Sequence, residues 1–279
     1  MKHVKNMHKI SWTKEILSIL AITFIFVFPF WFIIVNSLKS RRVAGLMNIK
    51  WPDAIQWSNY SEVFSQNDFI VVRSFVNSII ITFISIILLL GVCALAGFVL
   101  QRRSSKTSSF LNFLLLVGLM IPPTILPTIW VMDAIGIYRT LWGMILVEVA
   151  LNIPFTVMLF RGFVSTIPKE IEEAAIIDGC DCKNLFLRII FPLLKPVSST
   201  VIVLNAVTIF NDFTNPLYFL PGQKNATVQL TLNTFMGQYA SSWNLLFADV
   251  VLITIPPLIL FIFFNKKIIG GMTAGAVKG

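Results

Sequence analysis

Six stretches of the chain are almost uninterrupted apolar sequence, near residues 15–37, 74–100, 109–132, 140–162, 197–219 and 245–265. A helix needs about 20 such residues to cross a hydrocarbon core, and each stretch approaches or exceeds that length. Lipid offers the backbone no hydrogen-bond partner, and the stretches are too long for barrel strands, so the pattern predicts helices. The expected fold is an all-α membrane protein, with six transmembrane helices in a single transmembrane domain over 1–279. The polar segments between them are uneven. Most are short, but 38–73, 163–196 and 220–244 are long, and long connections tend to carry docking or function. No internal repeat and no low-complexity segment is evident.

Composition agrees with a lipid solvent. Of the 279 residues 56% are hydrophobic and only 13% charged, with a mean hydropathy of +0.82. A water-soluble fold of this length would have to expose that apolar surplus. The net charge of +9 reads as topology rather than nucleic-acid binding, because the basic residues cluster between the apolar runs. With the N-terminus inside, six crossings place both termini in the cytoplasm. That arrangement puts 15 of the 22 Lys and Arg on the inner side. The Lys39–Arg42 cluster falls outside, against the trend. The first run follows Lys2, Lys5, Lys9 and Lys14; it exceeds a signal-peptide core and no A-x-A site follows, so it reads as a retained anchor.

Several polar residues interrupt the spans. Glu148 and Asn152 fall in the fourth, and Asn211, Asp212 and Asn215 in the fifth. An acid in hydrocarbon faces a cavity or a partner. Two readings stand: the residues line a path for a polar solute, or they hydrogen-bond helix to helix. Asp249, near an outer boundary, reads as solvated. Pro122, Pro123 and Pro127 in the third span each remove a backbone donor, which predicts a kink. Asn225-Ala226-Thr227 fits a glycosylation acceptor in form alone. Cys93 lies within a span, and Cys180 and Cys182 have no further Cys or His nearby, so no metal site is predicted.

The inner segment 163–196 reads as two short helices. Ser165 or Thr166 can cap the first, Pro168 suits its opening turn, and Glu170, Glu172 and Glu173 favour its positive end. Gly179 suits the left-handed residue that ends it. A second helical stretch runs from Cys182 to Phe191, with Pro192 and Pro196 expected to stop it. The pair would form a knob projecting from the membrane.

Glu173-Ala174-Ala175, Gly179, Ile189 and Phe191-Pro192 resemble the signature loop of ABC-importer membrane subunits: Glu-Ala-Ala, three residues, Gly, nine residues, Ile, one residue, Leu-Pro. Phe191 replaces the usual Leu. The C-terminal Gly271-Met272-Thr273-Ala274-Gly275-Ala276-Val277-Lys278-Gly279 is similar to the tail of the MalG-like subunits of sugar importers, with Met272 for Leu. Weaker matches are Asn59-Tyr60 and Phe64 with Asn77-Ser78, then Asn211-Asp212-Phe213 with Pro216-Leu217, and Gly237-Gln238-Tyr239 with Trp243. Phe210 stands where Trp is usual.

The resemblance implies that Glu173, Ala174, Ala175, Asp178, Gly179 and Pro192 couple this chain to a separate ATPase. It implies that Thr273, Ala274 and Gly275 in the tail (267–279), otherwise expected to be mobile, lie against that ATPase pair, and that Gly237, Gln238 and Tyr239 meet an extracytoplasmic sugar-binding protein. It further implies a second permease subunit as partner, forming a heterodimer in the bacterial plasma membrane. The chain has no G-x-x-x-x-G-K-[ST] loop and no His/Asp/Cys cluster. The expectation is therefore a non-enzymatic transport subunit that binds no cofactor and no nucleic acid, with ATP and Mg held by the partner ATPase. Rival readings are an importer subunit for amino acids, peptides or oxyanions, an ion-driven secondary transporter, and a structural membrane scaffold.

Overall fold

The computed structural model describes residues 2–236 and 242–276, with side chains described between Lys14 and Phe264 of those ranges. Every regular element among the described residues is helical. In chain order these are α1 (Lys2–Ser37), α2 (Arg41–Ala44), α3 (Ser58–Ser65), α4 (Ile70–Arg102), α5 (Lys106–Met120), α6 (Ile125–Ala134) and α7 (Leu141–Val164). There follow α8 (Glu170–Ile177), α9 (Cys182–Asn184), a π-helical turn over Leu185–Ile190, α10 (Phe191–Leu193), α11 (Lys195–Phe210), α12 (Thr214–Phe219), α13 (Leu232–Phe235) and α14 (Trp243–Ala276). The chain divides into two units: Met1–Val71 with Thr231–Thr254, and Val72–Leu230 with Ile255–Gly279.

In the first unit, α1 is apolar from Lys14 and exposes nearly all of that surface, as a helix solvated by lipid does. The loop after it is pinned by polar side chains. Asn59 Nδ2 donates to the carbonyls of Ser37 (2.7 Å) and Lys39 (2.9 Å), and its Oδ1 accepts from Asn244 Nδ2 at 2.7 Å. Lys39 is buried. Its Nζ donates to Asn36 Oδ1 (3.0 Å), the Asn48 carbonyl (2.6 Å) and Asn48 Oδ1 (2.9 Å), which fills all three donor positions. Burial holds its pKa below the ordinary lysine value. One member of the Lys39–Arg42 cluster is thus a structural staple, while Arg41 and Arg42 stay exposed. Asp249 corrects an expectation: it is fully buried, not solvated, and accepts from Thr231 Oγ1 at 2.7 Å.

In the second unit α4 and α7 form the spine. Leu89, Cys93 and Ala94 of α4 pack with Met144, Val157 and Phe160 of α7 and Val201 of α11. Gly97 permits the close crossing: a Cβ there would sit 2.7 Å from Phe160 Cβ and 3.0 Å from the Arg161 nitrogen.

Among the described residues, four helical stretches are long and apolar enough to cross alone: Lys14–Ser37, Ile70–Arg102, Leu141–Val164 and Trp243–Phe264. The expected continuous helices over 109–132 and 197–219 are both broken. The first divides into α5 and α6 because Pro122 and Pro123 have no N–H to donate and hold the residue before them, Ile121, extended at ψ 121°. Pro127, by contrast, falls in the opening turn of α6, where no donor is missed. The second divides at Asn211–Phe213. Asp212 Oδ1 accepts the Asn215 N–H at 3.2 Å, and Oδ2 accepts Asn215 Nδ2 at 2.7 Å, starting α12 afresh.

Candidate functional site

The inner segment 163–196 folds as a two-armed knob. Its first arm, α8, carries Glu170, Glu172 and Glu173 in the opening turn, where the helix dipole favours anions. The expected caps do other work: Ser165 Oγ donates to the Gly162 carbonyl and Thr166 Oγ1 to that of Phe163, both at 2.7 Å, closing the end of α7. Lys169 occupies the N-cap position with no side-chain bond. At the other end Gly179 has φ +80°, the Cys180 N–H reaches the Ala175 carbonyl at 2.9 Å, and the Gly179 N–H reaches that of Ile176 at 3.0 Å. These two bonds are the Schellman closure.

The second arm differs from expectation. Asp181 Oδ1 caps α9 by accepting the Asn184 N–H at 3.0 Å, and the chain then widens into the π-helical turn Leu185–Ile190. Pro192 and Pro196 do not stop a helix. Each sits in the first two positions of the next one, α10 and α11, where a missing N–H costs nothing. What ends the arm is a bend of 72° at Leu194 between Cys182–Leu193 and Lys195–Phe210.

Glu173, Ala174, Asp178 and Gly179 are exposed on the knob, whereas Ala175 is buried under it. Beside them stand two side chains that sequence patterning passed over, Ile176 at 60% and Ile177 at 85% exposure. Their signal lay in position, between the Glu-Ala-Ala run and the glycine. The exposed surface is therefore small residues, an exposed apolar pair and carboxylates. The knob is tied to the spans by Arg102, also missed earlier. Its Nε donates to Glu172 Oε1 at 2.6 Å and its Nη2 to the Ile167 carbonyl at 2.7 Å.

The polar residues of the fourth and fifth spans come together where the fifth is broken. Glu148 is buried and lies against Asp212. Asn152 Nδ2 donates to the Glu148 carbonyl at 2.8 Å and approaches Oε2 at 3.5 Å, while Asp212 holds Asn215 as described. Asn211 is exposed at the end of α11, and its Oδ1 accepts from Gln229 Nε2 at 3.2 Å. Asn215 also lines a cavity of about 120 Å³ with Pro123, Thr124, Thr128 and Ala150. Both helix breaks thus open on one cavity.

Gly237, Gln238 and Tyr239 lie outside the described residues. Thr273, Ala274 and Gly275 continue α14 as helix to Ala276, and their side chains are not described.

Comparison with known proteins agrees with this architecture. Residues 94–273 match the family described as binding-protein-dependent transport system inner membrane component. The chain is 35% identical over 256 residues to the melibiose/raffinose/stachyose import permease protein MelC of Bacillus subtilis, covering 90% of this chain and 91% of that one. It is 28% identical to the probable starch degradation products transport system permease protein AmyC of Thermoanaerobacterium thermosulfurigenes, covering 98% and 100%. The fold matches a bacterial ABC transporter involved in import of the acidic polysaccharide alginate, with a TM-score of 0.81 at 18% identity, covering 92% of this chain and 96% of that one. With its knob between α7 and α11, its broken polar spans and these likenesses, the chain belongs to the inner membrane components of binding-protein-dependent transport systems.

Proposed function

We propose that this multi-pass membrane protein is one of two permease subunits of an ATP-driven sugar importer, working by alternating access. The knob carries the reading: its Glu173-to-Pro192 pattern occupies a helical protrusion between two spans, with Glu173, Ala174, Asp178 and Gly179 exposed on it. Relatives that import melibiose, raffinose and stachyose, or starch degradation products, support a sugar as the solute. In this reading the chain crosses the membrane six times with both termini cytoplasmic. Two of those crossings are made of paired short helices.

A separate ATPase pair binds ATP and Mg and seats Glu173, Ala174, Ala175, Asp178 and Gly179 in its cleft, with Pro192 shaping the second arm. Closure of the pair shifts the knob, and the spans follow as rigid bodies. The shift is driven only if ATPase contacts with the knob differ between the two states. The tail at Thr273–Gly275 lies against the same pair. On the outer side, Gly237, Gln238 and Tyr239 receive the binding protein. Glu148, Asn152, Asn211, Asp212 and Asn215 supply acceptors and donors for a hydroxyl-rich solute.

The test is uptake of labelled melibiose, raffinose, stachyose and arabino-oligosaccharides in cells expressing the chain with its companions. Gly179→Pro breaks the left-handed cap and removes its N–H, and Glu173→Lys with Ala174→Trp blocks the docking face. Both are expected to insert normally yet lose ATP-driven uptake. Uptake that continues in either variant, or that dies with a protonophore rather than with the ATPase, would overturn the proposal in favour of ion-driven transport.

A further inference from the structure

We infer that Arg102 is the strut through which the knob moves the second span, α4, an inference that rests on the coupling reading above. Arg102 ends α4, and its guanidinium grips the knob at two points. Nε holds the Glu172 carboxylate at 2.6 Å, and Nη2 holds the Ile167 carbonyl at 2.7 Å, in the turn that leads into α8. Both charged side chains are only 13% exposed, so water competes weakly for them. A planar fork with donors in fixed directions sets orientation as well as distance. Helix α8 therefore cannot rotate or translate without either breaking two charge-assisted bonds or carrying the end of α4 along.

The other arm of the knob meets the same face of α4. Phe98, one helical turn before Arg102, packs against Phe186 of the π-helical turn at 5.8 Å between ring centroids, and Phe186 continues to Phe191 at 6.0 Å. An apolar contact of this kind permits sliding, whereas the ion pair fixes register. Behind α4, Arg161 of α7 donates to Gln101 Oε1 at 3.0 Å and to Asn112 Oδ1 of α5 at 2.7 Å. Movement delivered to residue 102 thus reaches three spans through neighbouring side chains. Arg102 and Glu172 are positioning residues that act on each other and on the Ile167 carbonyl. Their role is to convert displacement of the knob into displacement of α4.

The decisive experiment separates coupling from assembly. The complete transporter, co-expressed with its companions and placed in proteoliposomes, is assayed for ATP hydrolysis and for uptake of whichever labelled sugar of the panel above the wild type accumulates fastest. Arg102→Gln and Glu172→Gln are each expected to retain the ATPase on purification and to hydrolyse ATP, while sugar moved per ATP falls by roughly fivefold or more, the low end of ordinary coupling between sites. The exchanged pair, Arg102→Glu with Glu172→Arg, is expected to recover part of that ratio through the ion pair alone, since Glu cannot donate to the Ile167 carbonyl, and a purely local folding role would produce no recovery. Should Arg102→Gln fail to accumulate in the membrane, Glu172→Gln, at the knob, carries the same test. An unchanged ratio in the single variants, or an exchanged pair as poor as the two losses combined, overturns the strut. A wild type that binds no ATPase overturns the importer reading itself, and is told apart because it fails before any substitution is made.

Discussion

Two glycines of α4 differ in what surrounds them, and the difference is a direct measure of packing in the membrane. A Cβ at Gly97 would meet Phe160 Cβ at 2.7 Å and the backbone of Arg161 at 3.0 Å, neither of which is a flexible tip that could swing away. A Cβ at Gly91 would meet nothing within 4 Å. Close approach of this kind is how helices associate where no hydrophobic driving force separates lipid from protein. Gly97→Ala is expected to lower stability by about 1–3 kcal/mol, the ordinary cost of overpacking, while Gly91→Ala stays within about 0.5 kcal/mol of wild type. Thermal unfolding of the detergent-solubilised protein, with the two variants side by side, checks both. Gly179 illustrates another use of the residue. It is chosen for φ +80° rather than for space, since no atom lies within 4 Å of its absent Cβ.

At the scale of elements, the two broken spans are governed by different chemistry. The first break is covalent in origin: two consecutive prolines withdraw two donors, and their rings force Ile121 out of helical geometry. The second is made by side chains, because Asp212 competes for the Asn215 N–H and ends one helix by starting the next. Only the first can be removed without touching polar chemistry. Pro122→Ala with Pro123→Ala is expected to let α5 run on toward α6, slowing exchange of the Thr124 and Ile125 amides about fivefold from roughly 1 kcal/mol per regained hydrogen bond. Unchanged exchange there would show that tertiary packing, not proline, holds the break. The bend of 72° at Leu194 belongs with these breaks, since it turns the knob's second arm into a span without leaving an unpaired end. The Leu194 N–H still reaches the Ile190 carbonyl at 3.1 Å.

For the whole molecule, the arrangement across the membrane is the property on which coupling depends. The proposed function requires the knob to face the cytoplasm and residues 220–224 the outer side. Cys182 is an exposed native thiol on the knob, and Gln223 is an exposed site for a second. An impermeant maleimide applied to intact cells is expected to label Gln223→Cys and to reach Cys182 only after permeabilisation. The reverse pattern would invert the topology and with it the assignment of the ATPase side.

Much of this was legible in the chain itself, because lipid imposes one rule on every residue at once. Backbone groups must be satisfied within the segment, so apolar runs of spanning length declare helices, and the runs at 15–37, 74–100, 140–162 and 245–265 fall within a few residues of helices Lys14–Ser37, Ile70–Arg102, Leu141–Val164 and Trp243–Phe264. The first arm of the knob was legible for a local reason, because its acidic first turn and its terminal glycine act within a few residues of one another, although its N-cap and the end of the second arm were not. What depended on distant residues was not. Sequence spacing could not show that Arg102 reaches Glu172 70 positions away, that Glu148 meets Asp212, that Lys39 turns inward onto Asn48, or that Asp249 is sealed from water. Nor could hydropathy distinguish one helix from two, since Pro122–Pro123 and Asn211–Asp212 break helical hydrogen bonding over only two residues, too few to divide an apolar run of spanning length. Local bonding and solvent determine which segments are helical. Which side chains meet is a matter of how those helices pack, and only the folded chain decides it.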